Sequence, residues 1–265
     1  MPSAPANGIE IAYERRGRGP HLLLIGGSRQ TLASSELMMQ PFVDDFDVAV
    51  YDQRGLGATS KPPGPYSMAD YAADAVGLLD HFEWDTCRVI GVSFGGMVAQ
   101  ELAATSPARV ERLALLCTSA GGTGRSSYPL HELVSLPVEE RAARAAELLD
   151  TRFTSEWLDA HPNDRALATF LAQREAAPRT ADEERGMAEQ LDARRHHDVY
   201  DRLPRITCPT LVACGRHDGI APPENAAAIA SQIRDSVLRT YEGGHAFFVQ
   251  DPAAFPDIVD FLRGG

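Results

Sequence analysis

Basic residues are scarce in this chain: 25 Lys and Arg stand against 37 Asp and Glu, for a net charge of −12 at pH 7. A nucleic-acid partner needs a basic face, so that class is excluded. Anionic membrane surfaces are disfavoured for the same reason, and no apolar run approaches transmembrane length. Residues 1–17 contain no basic region followed by an apolar run, so no secretory leader is expected. Cysteine is also sparse. Cys87, Cys117, Cys208 and Cys214 lie in or beside apolar strand-like runs, with no C-x-x-C pair and no histidine at metal-binding spacing. They read as buried reduced thiols, and a cytoplasmic location is the corresponding expectation. There are no internal repeats and no low-complexity tail. Nothing implies a metal or an organic cofactor.

What remains is an ordinary globular composition, 44% hydrophobic and 23% charged over 265 residues. That length suits one large α/β domain, or one domain carrying an insertion. Gly8 to Arg16 alternates apolar and polar residues, as a half-exposed strand of an edge hairpin does. His21–Ile25, Phe46–Tyr51, Val110–Cys117, Pro209–Cys214 and Ser236–Tyr241 read as strands, most of them continuously apolar. Helices are expected over Ser34–Val43, Ser67–Phe82 with Ser67 as N-cap, Pro222–Ile233 and Asp251–Arg263. Strands alternating with helices at this spacing mean a parallel sheet covered on both faces. From Gly121 to about Pro204 the strand signal stops. Three helix-like stretches, Pro137–Asp150, Ser155–Ala176 and Ala181–Leu203, read as a helical insertion. The expected division is a core of residues 1–120 and 205–265 with a cap of residues 121–204.

The chemistry-bearing stretch is Arg88 to Glu101, RVIGVSFGGMVAQE. It runs from an apolar strand end into a helix, with Gly91-Val92-Ser93-Phe94-Gly95 between. A serine on a sharp strand-to-helix turn is strained and crowded; glycines two before and two after leave it room. The following helix turns its free N–H groups toward the serine's oxygen. An acid and a histidine then follow, each just past a predicted strand: Asp218 in GRHDGIAP and His245 in GGHAFFVQ. Carboxyl ends of parallel strands share one edge of a sheet, so Ser93, Asp218 and His245 are expected to converge there. His245 would take the Ser93 proton, and Asp218 would fix the imidazole tautomer. The Phe94 N–H, with a second N–H from the Gly26-Gly27-Ser28 loop, would hold a developing oxyanion. His196 and His197 fall on a predicted helix of the insertion and read as solvated or facing it, not as metal ligands.

These blocks, with YDQRGLGATSKP, resemble the α/β-hydrolase superfamily across the whole chain. Within it the chain is similar to small capped esterases and lactonases, of the enol-lactone hydrolase or natural-product methylesterase type. The resemblance implies a mostly parallel eight-stranded sheet with helices on both faces and an inserted helical cap. It also implies a serine hydrolase that cleaves an ester, lactone or thioester of a small molecule through an acyl-enzyme. Gly26-Gly27 departs from the His-Gly usual in that family, and alignment places the second oxyanion N–H on Ser28. Serine at the elbow argues against the aspartate-dependent dehalogenases and epoxide hydrolases. Carbon–carbon bond hydrolysis, a lyase, cofactor-free perhydrolase chemistry and a non-catalytic small-molecule receptor stay open, as does a homodimer. Gly27, Phe153, Trp157, Phe170, Met187 and Phe247 are the expected pocket residues, and apolar residues of the insertion read equally as core.

Overall fold

Strands that are apolar at consecutive positions need cover on both faces. A computed structural model, describing residues 1–176 and 179–264, supplies it. The strands are β1 (Ser3–Ala6), β2 (Ile9–Gly17), β3 (His21–Ile25), β4 (Asp47–Tyr51), β5 (Cys87–Val92), β6 (Val110–Leu116), β7 (Thr210–Gly215) and β8 (Ser236–Tyr241). They form one sheet in the order β1-β2-β4-β3-β5-β6-β7-β8. β2 pairs antiparallel with β1 and β4, and every pair from β4 to β8 is parallel. Side chains alternate between two cores. Leu23, Ile25, Val89, Leu113 and Val212 face one way, and Leu22, Leu24, Ile90, Ala114 and Leu211 the other.

The α-helices are α1 (Glu36–Met39), α2 (Met68–His81), α3 (Phe94–Thr105), α4 (Val138–Leu149), α5 (Ser155–Ala160), α6 (Pro162–Ala176), α7 (Ala181–Arg195), α8 (Pro223–Gln232), α9 (Phe247–Gln250) and α10 (Ala254–Arg263). α2, α3 and α8 cover the first core through Leu78, Leu102 and Ile229. α1, α9 and α10 cover the second through Met39, Phe247 and Ile258. Ser67 starts α2 with a reciprocal capping box, its hydroxyl accepting the Asp70 N–H while the Asp70 carboxylate accepts the Ser67 N–H. α4 to α7 fill the connection from β6 to β7. Of the expected 121–204 insertion, residues 177 and 178 lie outside the described residues.

Four expected helices come out shorter. Ser34–Val43 is broken into turns around the four-residue α1, with Pro41 inside a separate 3₁₀ turn, Gln40–Phe42. Ser155–Ala176 divides at His161, which precedes Pro162 and holds φ −125° and ψ 83°, outside the helical region. Ala181–Leu203 stops at Arg195, and a 3₁₀ turn containing Pro204 follows. The closing helix begins at Ala254 rather than Asp251. The four cysteines are buried and unpaired with one another, as expected. Among the described residues no helix is long and apolar enough to cross a membrane.

The two-sided core sets a contrast between strands. Leu24 is fully buried, whereas Val237 on edge strand β8 is 47% exposed. Leu24→Ala should cost about 2–5 kcal/mol in denaturant unfolding, and Val237→Ala well under half of that. Equal losses would contradict the burial pattern.

Candidate active site

Ser93 sits between β5 and α3 with φ +54° and ψ −113°, a conformation few non-glycine residues adopt. Its neighbours hold it there. The Ser93 N–H donates to the Leu116 carbonyl at 2.8 Å, and the Ser93 carbonyl accepts from Gly96 and Met97. The Thr118 hydroxyl donates to the same carbonyl at 2.8 Å. A Cβ at Gly95 would lie 2.1 Å from the Ile25 carbonyl oxygen, one at Gly91 2.5 Å from that of Gly95, and one at Gly96 2.6 Å from Thr118. The glycines therefore let α3 close onto the ends of β3, β5 and β6. The doubled glycine at 95 and 96 was the sequence signal for the Thr118 contact.

The expected acid and histidine arrive at the same edge. His245 Nε2 lies 2.9 Å from Ser93 Oγ, and His245 Nδ1 lies 2.8 Å from Asp218 Oδ2. The Asp218 side chain is fully buried. Its second oxygen accepts the Ile220 and Ala221 N–H groups, each at 2.8 Å, which fixes the carboxylate's orientation. With Nδ1–H donated to Asp218, Nε2 presents a lone pair to the serine hydroxyl.

The loop at residues 26–30 comes close on the other side, Gly27 packing near the Ser93 Cβ. Gln53 donates to the Gly26 carbonyl at 2.8 Å, and Asp52 accepts the Leu32 N–H at 2.7 Å. This is the structural work of the DQRGLG stretch. The Arg29 N–H donates to Gln190 of α7 at 2.8 Å. The Phe94 N–H opens α3, in the first turn whose donors have no partner within a helix, and no backbone acceptor outside the helix is found for it among the described residues. Among the described residues the Ser28 N–H has no backbone acceptor.

A second layer was not legible in the sequence. The end of α4 is bonded to the loops that carry Asp218 and His245. The His245 N–H donates to the Leu149 carbonyl at 2.6 Å, the Gly219 N–H to Leu148 at 3.0 Å, and the Thr151 N–H to the His217 carbonyl at 2.9 Å. Gln250 accepts the Gly244 N–H at 2.9 Å and donates to Asp150 at 3.0 Å and to Asp164 at 3.2 Å. Asp150 is gripped by two N–H bonds from Arg152, at 2.9 and 2.6 Å. The expected pocket residues are scattered. Phe247 stacks on Tyr241 within the core. Trp157 bonds Asp164, with Arg152 over its ring. Phe153 is buried, Met187 is half-buried, and Phe170 is half exposed.

A mostly parallel, doubly covered sheet whose edge carries a serine elbow, then an acid, then a histidine defines the α/β-hydrolase class. The model of the alpha/beta hydrolase fold matches residues 20–252, and the chain belongs to that family. It is 28% identical over 260 residues to the 3-oxoadipate enol-lactonase 2 of Acinetobacter baylyi, covering 96% of this chain and 93% of that one. It is 32% identical over 228 residues to a putative carbamate hydrolase of Variovorax paradoxus, covering 81% and 80%. The solved enol-lactonase of Burkholderia xenovorans superposes with a TM-score of 0.83 at 23% identity, over 99% of this chain and 100% of that one. This last likeness concerns the fold.

Two expectations follow from the layout. Gly95→Ala should push α3 off the 25–26 carbonyls and cost about 3 kcal/mol or more, read by unfolding; a neutral effect would contradict the close approach. Burial opposes ionisation of Asp150, but Arg152 and Gln250 outweigh it and hold its carboxyl below the usual range. A depressed folded pKa gives stability that is present above the unfolded value and lost as pH falls through the folded one. The stability gap between wild type and Asp150→Asn should therefore be open at neutral pH and narrow below about pH 4. A pH-independent gap would refute this account.

Proposed function

We propose that this α/β hydrolase is a serine hydrolase acting on an ester or lactone of a small molecule through an acyl-enzyme. The observation that carries the reading is the continuous relay from Asp218 through His245 to Ser93, at 2.8 and 2.9 Å. In this reading Ser93 Oγ attacks the substrate carbonyl carbon while His245 Nε2 takes its proton. The Phe94 and Ser28 N–H groups hold the oxyanion. As the intermediate collapses, the bond to the leaving oxygen breaks and His245 returns the proton to it. Water then attacks the acyl carbonyl, His245 takes its proton, and the acid leaves as the proton goes back to Ser93. Asp218 keeps the imidazole in the useful tautomer and balances the imidazolium. Residues 121–204 act as a cap on a core formed by residues 1–120 and 205–265. The relatives named as an enol-lactonase and a putative carbamate hydrolase support attack at an activated carbonyl.

The test is intact-mass detection of a fluorophosphonate adduct, which needs no knowledge of the substrate. Wild type should gain one adduct, Ser93→Ala none, and His245→Ala should label far more slowly. Asp218→Asn should lower ester turnover by on the order of 10⁴-fold while leaving the fold intact. A folded wild type that takes no adduct would overturn the reading and bring a receptor role forward.

A further inference from the structure

Arg194, in the last turn of α7, is 7% exposed and has no carboxylate partner among the described residues. A guanidinium buried without a counter-charge is costly, and native structures rarely keep one without a use. Two of its five N–H donors are occupied, by the Tyr128 carbonyl at 2.8 Å and the Ser127 hydroxyl at 2.7 Å. Its Nε–H has no partner. The group lines a cavity of about 210 Å³. Arg195, His131, His197, Ser119 and Ser127 line it too, and among the described residues no Asp or Glu does. In a chain of net charge −12, a cavity walled by cations, imidazoles and hydroxyls is set apart from the surface around it. Burial alone pushes the Arg194 pKa down to about 10, so the cation persists at neutral pH.

The cavity is lined by neighbours of the proposed catalytic residues, while Ser93, Asp218 and His245 are not themselves in its wall. Met97, in its wall, is one helical turn from Ser93 and donates its N–H to the Ser93 carbonyl. Ser119 follows Thr118, whose hydroxyl bonds that same carbonyl. The Tyr128 N–H donates to the Ile220 carbonyl at 2.7 Å, on the loop that carries Asp218. One turn before Arg194, Gln190 holds the Arg29 N–H and leaves its own buried Nε2 without a partner. α7 thus runs from the 26–30 loop to the cavity, with unpaired donors at both stations.

We propose that this cavity is an anion subsite in which Arg194 binds a carboxylate of the substrate, so that the preferred substrates are short esters or lactones bearing a second, free carboxylate. The proposal rests on the serine-hydrolase reading of Ser93. A carboxylate matches the fork of a guanidinium, and the cavity's volume suits a short chain. Binding it would supply the missing counter-charge and fix the distance from the anion to the scissile carbonyl.

The test compares monomethyl glutarate with methyl pentanoate, by methanol release, on wild type and on Arg194→Met. Wild type should favour the glutarate ester in kcat/KM by about 10- to 100-fold, chiefly through KM. In Arg194→Met the ratio should fall toward unity. A wild type that turns both esters over equally, or a variant that loses both in proportion, overturns the subsite and gives Arg194 a purely structural role. Should Arg194→Met fail to fold, wild type alone decides. Glutarate should slow fluorophosphonate labelling of Ser93 and pentanamide at the same concentration should not; equal effects overturn the proposal. Labelling also separates the two readings, since an adduct without carboxylate preference leaves the serine hydrolase standing, while no adduct removes both.

Discussion

The contact on which this structure depends is the approach of α3 to the ends of three strands. Backbone carbonyls of β3 and its following loop lie where a side chain at position 95 would have to be, and Thr118 fills the space beside position 96. Packing this close is open only to glycine, and it forces the turn at Ser93 into its strained conformation. It also aims the start of α3 at the serine hydroxyl and brings the Gly27 loop against it. The strain is held by the hydrogen bonds on either side of Ser93, which tie it to Leu116 and Thr118 beyond β6. Moving the serine would mean moving the centre of the sheet.

Around that fixed point, the other two members of the relay come from loops that would wander if left alone. Asp218 is fixed by two N–H groups of its own turn. His245 is fixed from outside, by the last turn of α4 and by Gln250. The helices between β6 and β7 therefore form part of the scaffold of the relay. A buried carboxylate, Asp150, sits at the junction, and its charge is neutralised by Arg152 at short range.

Much of this could be read from the sequence, because local signals carried it. Continuous apolar runs marked β3, β4 and β7, and the capping pair Ser67 and Asp70 marked the start of α2. The strand–serine–helix spacing, followed by Asp218 and His245 past later strands, marked the relay. What escaped were proline breaks and features decided at a distance. Proline interrupted two expected helices in ways that periodicity alone did not register, at Pro41 and Pro162. Gln250 and Asp150 meet across 100 positions of sequence. Arg194 belongs to a helix rich in charged residues and without a continuous apolar stripe, so nothing in the pattern separates it from its exposed neighbour Arg195. Apolar side chains of the insertion drew attention to Trp157 and Phe170, whereas neither lines the cavity that Arg194, Arg195, His131 and His197 help to wall.

The ties from Leu148, Leu149 and Thr151 to the loops bearing Asp218 and His245 run through main-chain atoms only. A peptide carbonyl offers the same acceptor whatever side chain it carries. Residues along this seam can therefore be exchanged over generations while the relay stays aligned, provided the chain keeps its path. At positions 148, 149 and 151 the fold thus asks for a path of the main chain and not for a particular side chain.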